Sequence, residues 1–447
     1  MAESFDELRM VGVVPVPKAP IATPVPQTED PAPDQLLLGV VLILVALGIV
    51  MVYSASAVHA ARKFGSSSYF LKRDVIYVAI GLIALWIAAH TDFSIYRRFA
   101  YPLLIFSLLL LVAVLLVGVR INGARRWFHL GPLSFQPTAI AKLSLMIYLA
   151  HSLAKKAEKI RSFTVGFVPH MMVCGLMMGL LLMQPDLGAA VILGLGTLLV
   201  LFIAGAQISY IVLAILVVAP VVYQAIVSTP WRMRRMLAFI DPWPFRHDVG
   251  YQVTQSLISI GSGGTTGVGL GDGKQKLFFL PEAWTDYVMA SIGEELGFLG
   301  LVTVVLLFVV LLWRGARAAL RARDAFGCYL GFGITVLFGL QALVNLGVAL
   351  GALPNKGLPM PFVSFGGSTL VVDLFAMGIL LNISMSNSLP QPSETERGWA
   401  HFGWGRFRQS KSNRRLPGGG RRVLIDTGSG VRRSREVTEE TLAPPPL

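Results

Sequence analysis

Apolar residues run in long unbroken blocks through the middle of this chain, and polar residues collect between the blocks and at the two ends. The block "LLLGVVLILVALGIVMVY", residues 36–53, carries no charge over a length that crosses most of a bilayer core. Blocks of this kind predict ten helices, over 36–57, 74–90, 101–119, 138–154, 167–183, 187–205, 208–228, 286–312, 326–350 and 364–386. The predicted fold class is an all-α polytopic membrane protein of ten transmembrane helices. One long extracytoplasmic loop, 229–285, joins the seventh and eighth. Three regions follow: an N-terminal tail 1–35, a membrane domain 36–389 and a C-terminal tail 390–447. The first tail is rich in proline and the second in Arg, Gly and Pro, so both read as disordered. The block at 36–53 is no signal peptide, because about 35 residues precede it and no small-residue cleavage site closes it.

Composition agrees with this class: 54% of the 447 residues are hydrophobic, 14% are charged, and the mean hydropathy is +0.65. Cys174 and Cys328 both fall inside apolar stretches, which predicts core packing and no disulfide framework. Of the 38 Lys and Arg residues, 11 follow Pro390. A basic tail of this kind is drawn to an anionic cytoplasmic leaflet, which argues for lipid over nucleic acid and puts both termini in the cytoplasm. The short loops assigned to the outside also hold Arg and Lys, an excess that a polyanionic outer ligand would explain.

The 229–285 loop is too long to be a plain connection. Its "WRMRRMLAFIDPWPF" alternates bulky apolar groups with cations, as an amphipathic interface segment does. The glycine-punctuated stretch that follows fits neither common phosphate loop. A Walker motif fails at Val268 and Gln275, and the dinucleotide fingerprint fails at Asp272. No zinc-ligand cluster appears. The stretch "FLPEAWTDYVMASIGEELGFLG", residues 279–300, then places Glu282, Asp286, Glu294 and Glu295 around the start of a hydrophobic helix. Acids so close to hydrocarbon need a partner, water or a task. Asp286 falls in the predicted first turn, where the helix dipole alone would favour it by roughly 0.3–1 kcal/mol. Glu282 reads as a solvated or cation-paired loop acid. Glu294 and Glu295 read as structural or cavity-lining, with at least one paired to a cation in the bundle.

Five segments, "MVYSASA", "RRWFHLGPLSFQP", "GYQVTQSLISIGSGG", "GVGLGDGKQKLFFLPEAWTDYVMASIGEELGFLG" and "ALPNKGLPMPFVSFGGST", together resemble the SEDS family, the group that includes FtsW and RodA. The resemblance spans residues 36–386, and its "LPNKGLPMPFVSFGGS" is more similar to the division member than to RodA. It implies ten transmembrane helices with both ends cytoplasmic, in a bacterial inner membrane at the division septum. The implied activity is peptidoglycan glycosyl transfer, polymerising lipid II into glycan strands. Three positions depart from the family pattern: Trp284 where His is common, Phe365 in place of Tyr, and Ala139 where Glu is usual. The last removes a carboxylate one helical turn from Lys142.

That chemistry needs a base at a sugar hydroxyl and positive charge at a pyrophosphate-lipid leaving group. The resemblance assigns the base to Asp286, with Trp284 and Tyr287 beside it to hold a sugar face. Candidate cations are Arg125, Arg126, Lys142, Arg232, Arg234, Arg235, Lys274 and Lys356; those inside the shared motifs, including the Arg125–Arg126–Trp127 group, rank first. Gln252, Gln255 and Ser256 offer hydrogen bonds to sugar, and Ser364 and Ser368 a helix cap facing the cavity. A divalent cation, Mg2+ or Mn2+, is a candidate at the pyrophosphate. Implied partners are a class B penicillin-binding transpeptidase and other division proteins. Two rivals compete: a flippase for the same lipid-linked precursor and a non-catalytic scaffold.

Overall fold

The computed structural model describes residues 33–386 except 122, 131, 132, 229 and 356. The chain divides into units 1–399 and 400–447, and the second lies outside the described residues. So do both tails, apart from residues 33–35, and with them their predicted disorder. Thirteen helices are described: α1 Gln35–Phe64, α2 Tyr69–His90, α3 Ser94–Arg98, α4 Ala100–Val117, α5 Pro137–Lys155, α6 Val168–Met183, α7 Leu187–Ile203, α8 Ile208–Val227, α9 Pro230–Ile240, α10 Tyr251–Gly263, α11 Val288–Leu320, α12 Ala325–Ala349 and α13 Ser368–Ser386.

Several helices start where an acid can take the N–H groups that the first turn leaves unpaired. Asp34 accepts from the Leu37 N–H at α1, Asp186 from Ala189 at α7 and Asp324 from Gly327 at α12. Each of the ten predicted segments coincides with a helix. Six described helices have the length and apolar character to cross a membrane: α1, α4, α6 with its preceding turn, α11, α12 and α13.

Two features correct the predicted architecture. The chain is not all-α: β1 Val119–Ile121, β2 Ala124–Leu130 and β3 Leu133–Phe135 form an antiparallel meander between α4 and α5, pairing Val119 with Trp127 and Phe128 with Phe135. β1 and β3 have three residues each, too few for a period of two to register, and ARRWFHL in β2 does not alternate apolar with polar. The 229–285 segment is also more structured than a loop, since its amphipathic stretch forms α9 and its "YQVTQSLISIGSG" forms α10.

Packing joins α13 to α2, and α11 to α12 and α10. Cys174 and Cys328 are free and buried in it. Within α11 the backbone leaves the helix at Gly297, with φ 67° and ψ −164°. The segment after α10 fills this break. Val268 and Gly269 donate to the carbonyls of Glu294 and Glu295, and Phe298 and Leu299 donate to those of Gly264 and Thr265. No side chain fits at the contact: a Cβ on Gly267 would lie 2.1 Å from the Glu295 carbonyl oxygen.

Candidate functional site

Asp286 sits in a tight turn. Glu282 takes a left-handed conformation, φ 57°, which folds the chain back so that its carbonyl accepts from the N–H groups of Thr285 (3.1 Å) and Tyr287 (3.2 Å). The Thr285 hydroxyl donates to the Glu282 carboxylate at 2.9 Å. Because this turn uses residues up to Tyr287, α11 begins at Val288. Asp286 therefore precedes the helix, which corrects its predicted place in the first turn.

Side chains distant in sequence hold the turn. Asn345 on α12 donates from Nδ2 to the Asp286 carbonyl at 2.9 Å and to that of Leu358 at 2.7 Å. Ser364 donates from Oγ to the Thr285 carbonyl at 2.5 Å, and the Phe365 N–H donates to Trp284 at 3.0 Å. Gly357 lies against the carboxylate, where a Cβ would come within 2.7 Å of Oδ2.

Burial pushes the Asp286 carboxyl up to about 7, the Glu282 carboxylate adds to the rise, Arg126 opposes it, and Asp186 adds a smaller push. Arg126 reaches this position from β2 and is anchored there. Its Nε donates to the Gln184 carbonyl at 3.1 Å and its guanidinium to that of Pro185. A second guanidinium, Arg235 on α9, lies within electrostatic reach of both Tyr287 and Arg126, and burial lowers its proton affinity. The same burial, with Asp286 nearby, raises that of the Tyr287 hydroxyl. A carboxylate raised to about 7 thus has the Arg126 guanidinium in electrostatic reach, with Arg235 in reach of Arg126 and Tyr287, and guanidinium forks match phosphate oxygens.

The other sequence-predicted residues divide. Trp284 is partly exposed beside Asp286 and packs on His59 and Phe70 at 4.9 and 5.3 Å between ring centroids. Tyr287, expected to share the sugar face, is instead fully buried. Trp127 is partly exposed on β2 next to Arg126. Arg125 donates to the Leu115 and Leu116 carbonyls and so caps α4, and Arg234 pairs with Asp248. Gln252 accepts from Asn355 at 2.6 Å, and Gln255 is partly exposed on α10. Ser256 is buried and donates to the Ala349 carbonyl, which takes it out of the sugar contacts expected of it. Ser368 accepts from the Gln136 N–H at 2.8 Å and so ties α13 to α5. Lys356 and the Arg232 side chain lie outside the described residues.

Lys142 is buried and donates to the Gln341 side chain. Lys274 has an exposed side chain, and its backbone N–H donates to Glu294 at 2.7 Å. Glu294 also accepts from Gln275 and Ser259. The cation that meets this pair of acids is Lys276, buried, paired with Glu295 at 2.7 Å and bonded to Ser54. Sequence reasoning missed Lys276, Asn345, Gly357 and Asp186. Lys276 was two residues from a residue it named, and Asn345 stood out as an amide inside an apolar helix.

Residues 34–389 match the FtsW/RodA/SpoVE family model, described as cell cycle protein. A probable peptidoglycan glycosyltransferase FtsW of Geobacter sp. strain M18 is 44% identical over 353 residues, 78% of this chain and 96% of that protein. Stage V sporulation protein E of Bacillus subtilis strain 168 is 39% identical over 359 residues, 80% of this chain and 98% of that one. The crystal structure of the rod shape determining protein RodA of Thermus thermophilus superposes with a TM-score of 0.61 at 31% identity, over 80% of this chain and 99% of that one. A chain from a structure described as structural coordination of polymerization and crosslinking by a peptidoglycan synthase complex superposes with a TM-score of 0.67 at 32% identity, over 80% of this chain and 98% of that one.

Proposed function

This chain belongs to the FtsW/RodA/SpoVE family, and from that premise we propose that it is a peptidoglycan glycosyltransferase that polymerises lipid II, with Asp286 as general base. The observation that carries the reading is a turn-held carboxylate, raised to about 7, with Arg126 in electrostatic reach. A base is most effective when its proton affinity lies near the working pH.

In the step, a sugar hydroxyl of one substrate attacks the anomeric carbon of another. The new C–O bond forms as the bond to the pyrophosphate oxygen breaks, the hydroxyl proton passes to the Asp286 carboxylate, and undecaprenyl pyrophosphate leaves with the electron pair. Arg126 and Arg235 neutralise the leaving group, and Trp284 packs on a sugar face. Among the described residues no three His, Cys, Asp or Glu side chains converge. A divalent cation, where present, would come with the substrate and would neutralise charge on its phosphate oxygens.

The basic tail supports an inner-membrane orientation with both termini cytoplasmic, so that Asp286 works at the outer face. The likeness to a synthase-complex chain supports a class B penicillin-binding transpeptidase as partner at the septum. The flippase reading would draw on the broken helix at Gly297. Against it, the carbonyls of Glu294 and Glu295 there already accept hydrogen bonds from Val268 and Gly269.

The test is strand synthesis from purified lipid II by the wild-type chain and by Asp286→Asn, each with its transpeptidase. The expected result is strands from the wild type and none from the variant, with folding and partner binding equal. Equal synthesis by both would remove Asp286 as the base, and no synthesis by either would favour the flippase or the scaffold.

A further inference from the structure

Three cations at the junction of α1 and α2 are each seated on an aromatic ring. The Arg62 guanidinium lies 4.8 Å from the centroid of Phe278, and the Arg73 guanidinium 4.8 Å from that of Tyr69. The Lys63 ammonium lies 5.6 Å from the centroid of Phe64. Such contacts hold a cation in place without neutralising it. Among the described residues no carboxylate forms a salt bridge with any of the three. Residues 54–73 contain no acid, and Asp74, which follows them, is buried. In the segment of Phe278, Glu282 takes the Thr285 hydroxyl instead. Arg62 and Lys63 are exposed and Arg73 is half-buried, and all three belong to the excess of cations assigned to short outward loops.

The rings that seat these cations run on to Trp284. Phe278 meets His59 at 6.1 Å between centroids, and His59 meets Trp284 at 4.9 Å. Tyr69 and Phe64 stack on each other at 3.9 Å and touch Phe70 at 5.3 and 5.8 Å. Phe70 in turn meets Trp284 at 5.3 Å. Each cation therefore stands on a ring that is two ring contacts from Trp284. Phe278 is held there with φ 72°, a conformation uncommon for a bulky residue.

That separation decides which part of a substrate the cations can meet. With a sugar on Trp284, the phosphate at its anomeric carbon belongs beside Asp286 and Arg126. Cations seated beyond the tryptophan meet what the sugar carries, and the anionic groups carried on the sugars of lipid II are the carboxylates of its peptide. Anionic lipid headgroups offer similar charge. A cation that serves headgroups has only to snorkel, however, and needs no path of rings to the sugar contact.

We propose that Arg62, Lys63 and Arg73 form a binding site for the peptide carboxylates of lipid II. The aromatic cluster sets the distance between these cations and the sugar on Trp284. The site adds affinity for substrate and takes no part in making or breaking bonds.

The inference rests on the glycosyltransferase reading, and the experiment keeps the two apart. Initial rates of strand synthesis are measured with lipid II and with lipid II whose peptide carboxylates are converted to carboxamides. The proteins, each with its transpeptidase, are the full wild-type chain, the double variant Arg62→Gln with Arg73→Gln, and Lys72→Gln. Lys72 is an exposed neighbour seated on no ring among the described residues. The double variant should raise KM for lipid II about tenfold and leave kcat unchanged. Amidation should raise the wild-type KM by a similar factor and that of the double variant hardly at all, because both changes remove one interaction. Lys72→Gln should match the wild type on both substrates, and a loss there equal to the double variant's would overturn the proposal. So would a double variant whose loss is the same on both substrates, or one that loses only in vesicles containing anionic lipid. If the double variant does not assemble in the membrane, the wild-type comparison decides alone. Strands made by the wild type with equal KM on both substrates would overturn this proposal and leave the glycosyltransferase reading intact. No strands from the wild type on either substrate would refute that reading, and this proposal with it.

Discussion

At Asp286, burial and the Glu282 carboxylate both oppose ionisation, and Arg126 only partly offsets them. The base works deprotonated, so strand synthesis should rise as pH passes upward through about 7 and level off above it. Glu282→Gln removes a charge that raises the group, which should move the rising limb to lower pH. Arg126→Gln removes the opposing charge, so the limb should move to higher pH while the rate falls through loss of a phosphate contact. Rate–pH profiles of the three proteins check this, and an identical limb in all three would sever the coupling. Asp286→Asn should cost roughly 10²–10⁴-fold, the usual worth of a positioned base. The cost of acids beside a long apolar block drew attention to Glu282, Asp286, Glu294 and Glu295 together, and the family resemblance singled out Asp286 among them. Its surroundings were not legible, since Asn345, Gly357 and Ser364 lie some sixty or more residues further along the chain and no local pattern ties them to it.

Between elements, the main departure from a regular bundle is the break in α11 and the segment that fills it. Glu295 and Lys276 make a buried pair whose side chains are 1% and 5% exposed. Lys276→Met should destabilise the protein by about 3–5 kcal/mol, because it strands a carboxylate away from water. The same change at the exposed Lys274 should cost little, and melting of the two variants in detergent separates them. Gly267→Ala should also lower the melting temperature, since its Cβ would meet the Glu295 carbonyl oxygen at 2.1 Å. The sequence showed the helix on the far side of this junction and the richness in glycine before it, but not α10. It did not show which lysine turns inward, because two lysines separated by one residue differ only in the direction the folded segment gives them.

For the whole molecule, the orientation reading makes a direct prediction. Lys274→Cys should react with a membrane-impermeant thiol reagent in intact cells, and Lys159→Cys, exposed between α5 and α6, only after permeabilisation. Cys174 and Cys328 are buried and add little background. The reverse pattern would put Asp286 on the cytoplasmic face and exclude strand synthesis at the outer one.

The sequence by itself determined the ten long apolar helical segments, though not α9 and α10. An apolar run must pair its backbone groups internally in hydrocarbon, and a helix does that without reference to any other part of the chain. The family resemblance, carried by short motifs, singled out Asp286, Arg126 and Trp284. Tertiary structure decided what depends on two segments meeting: the turn held by Asn345 and Ser364, and the pairing of Glu295 with Lys276. Those choices follow from packing between helices far apart in the chain, and such contacts leave no period in the sequence.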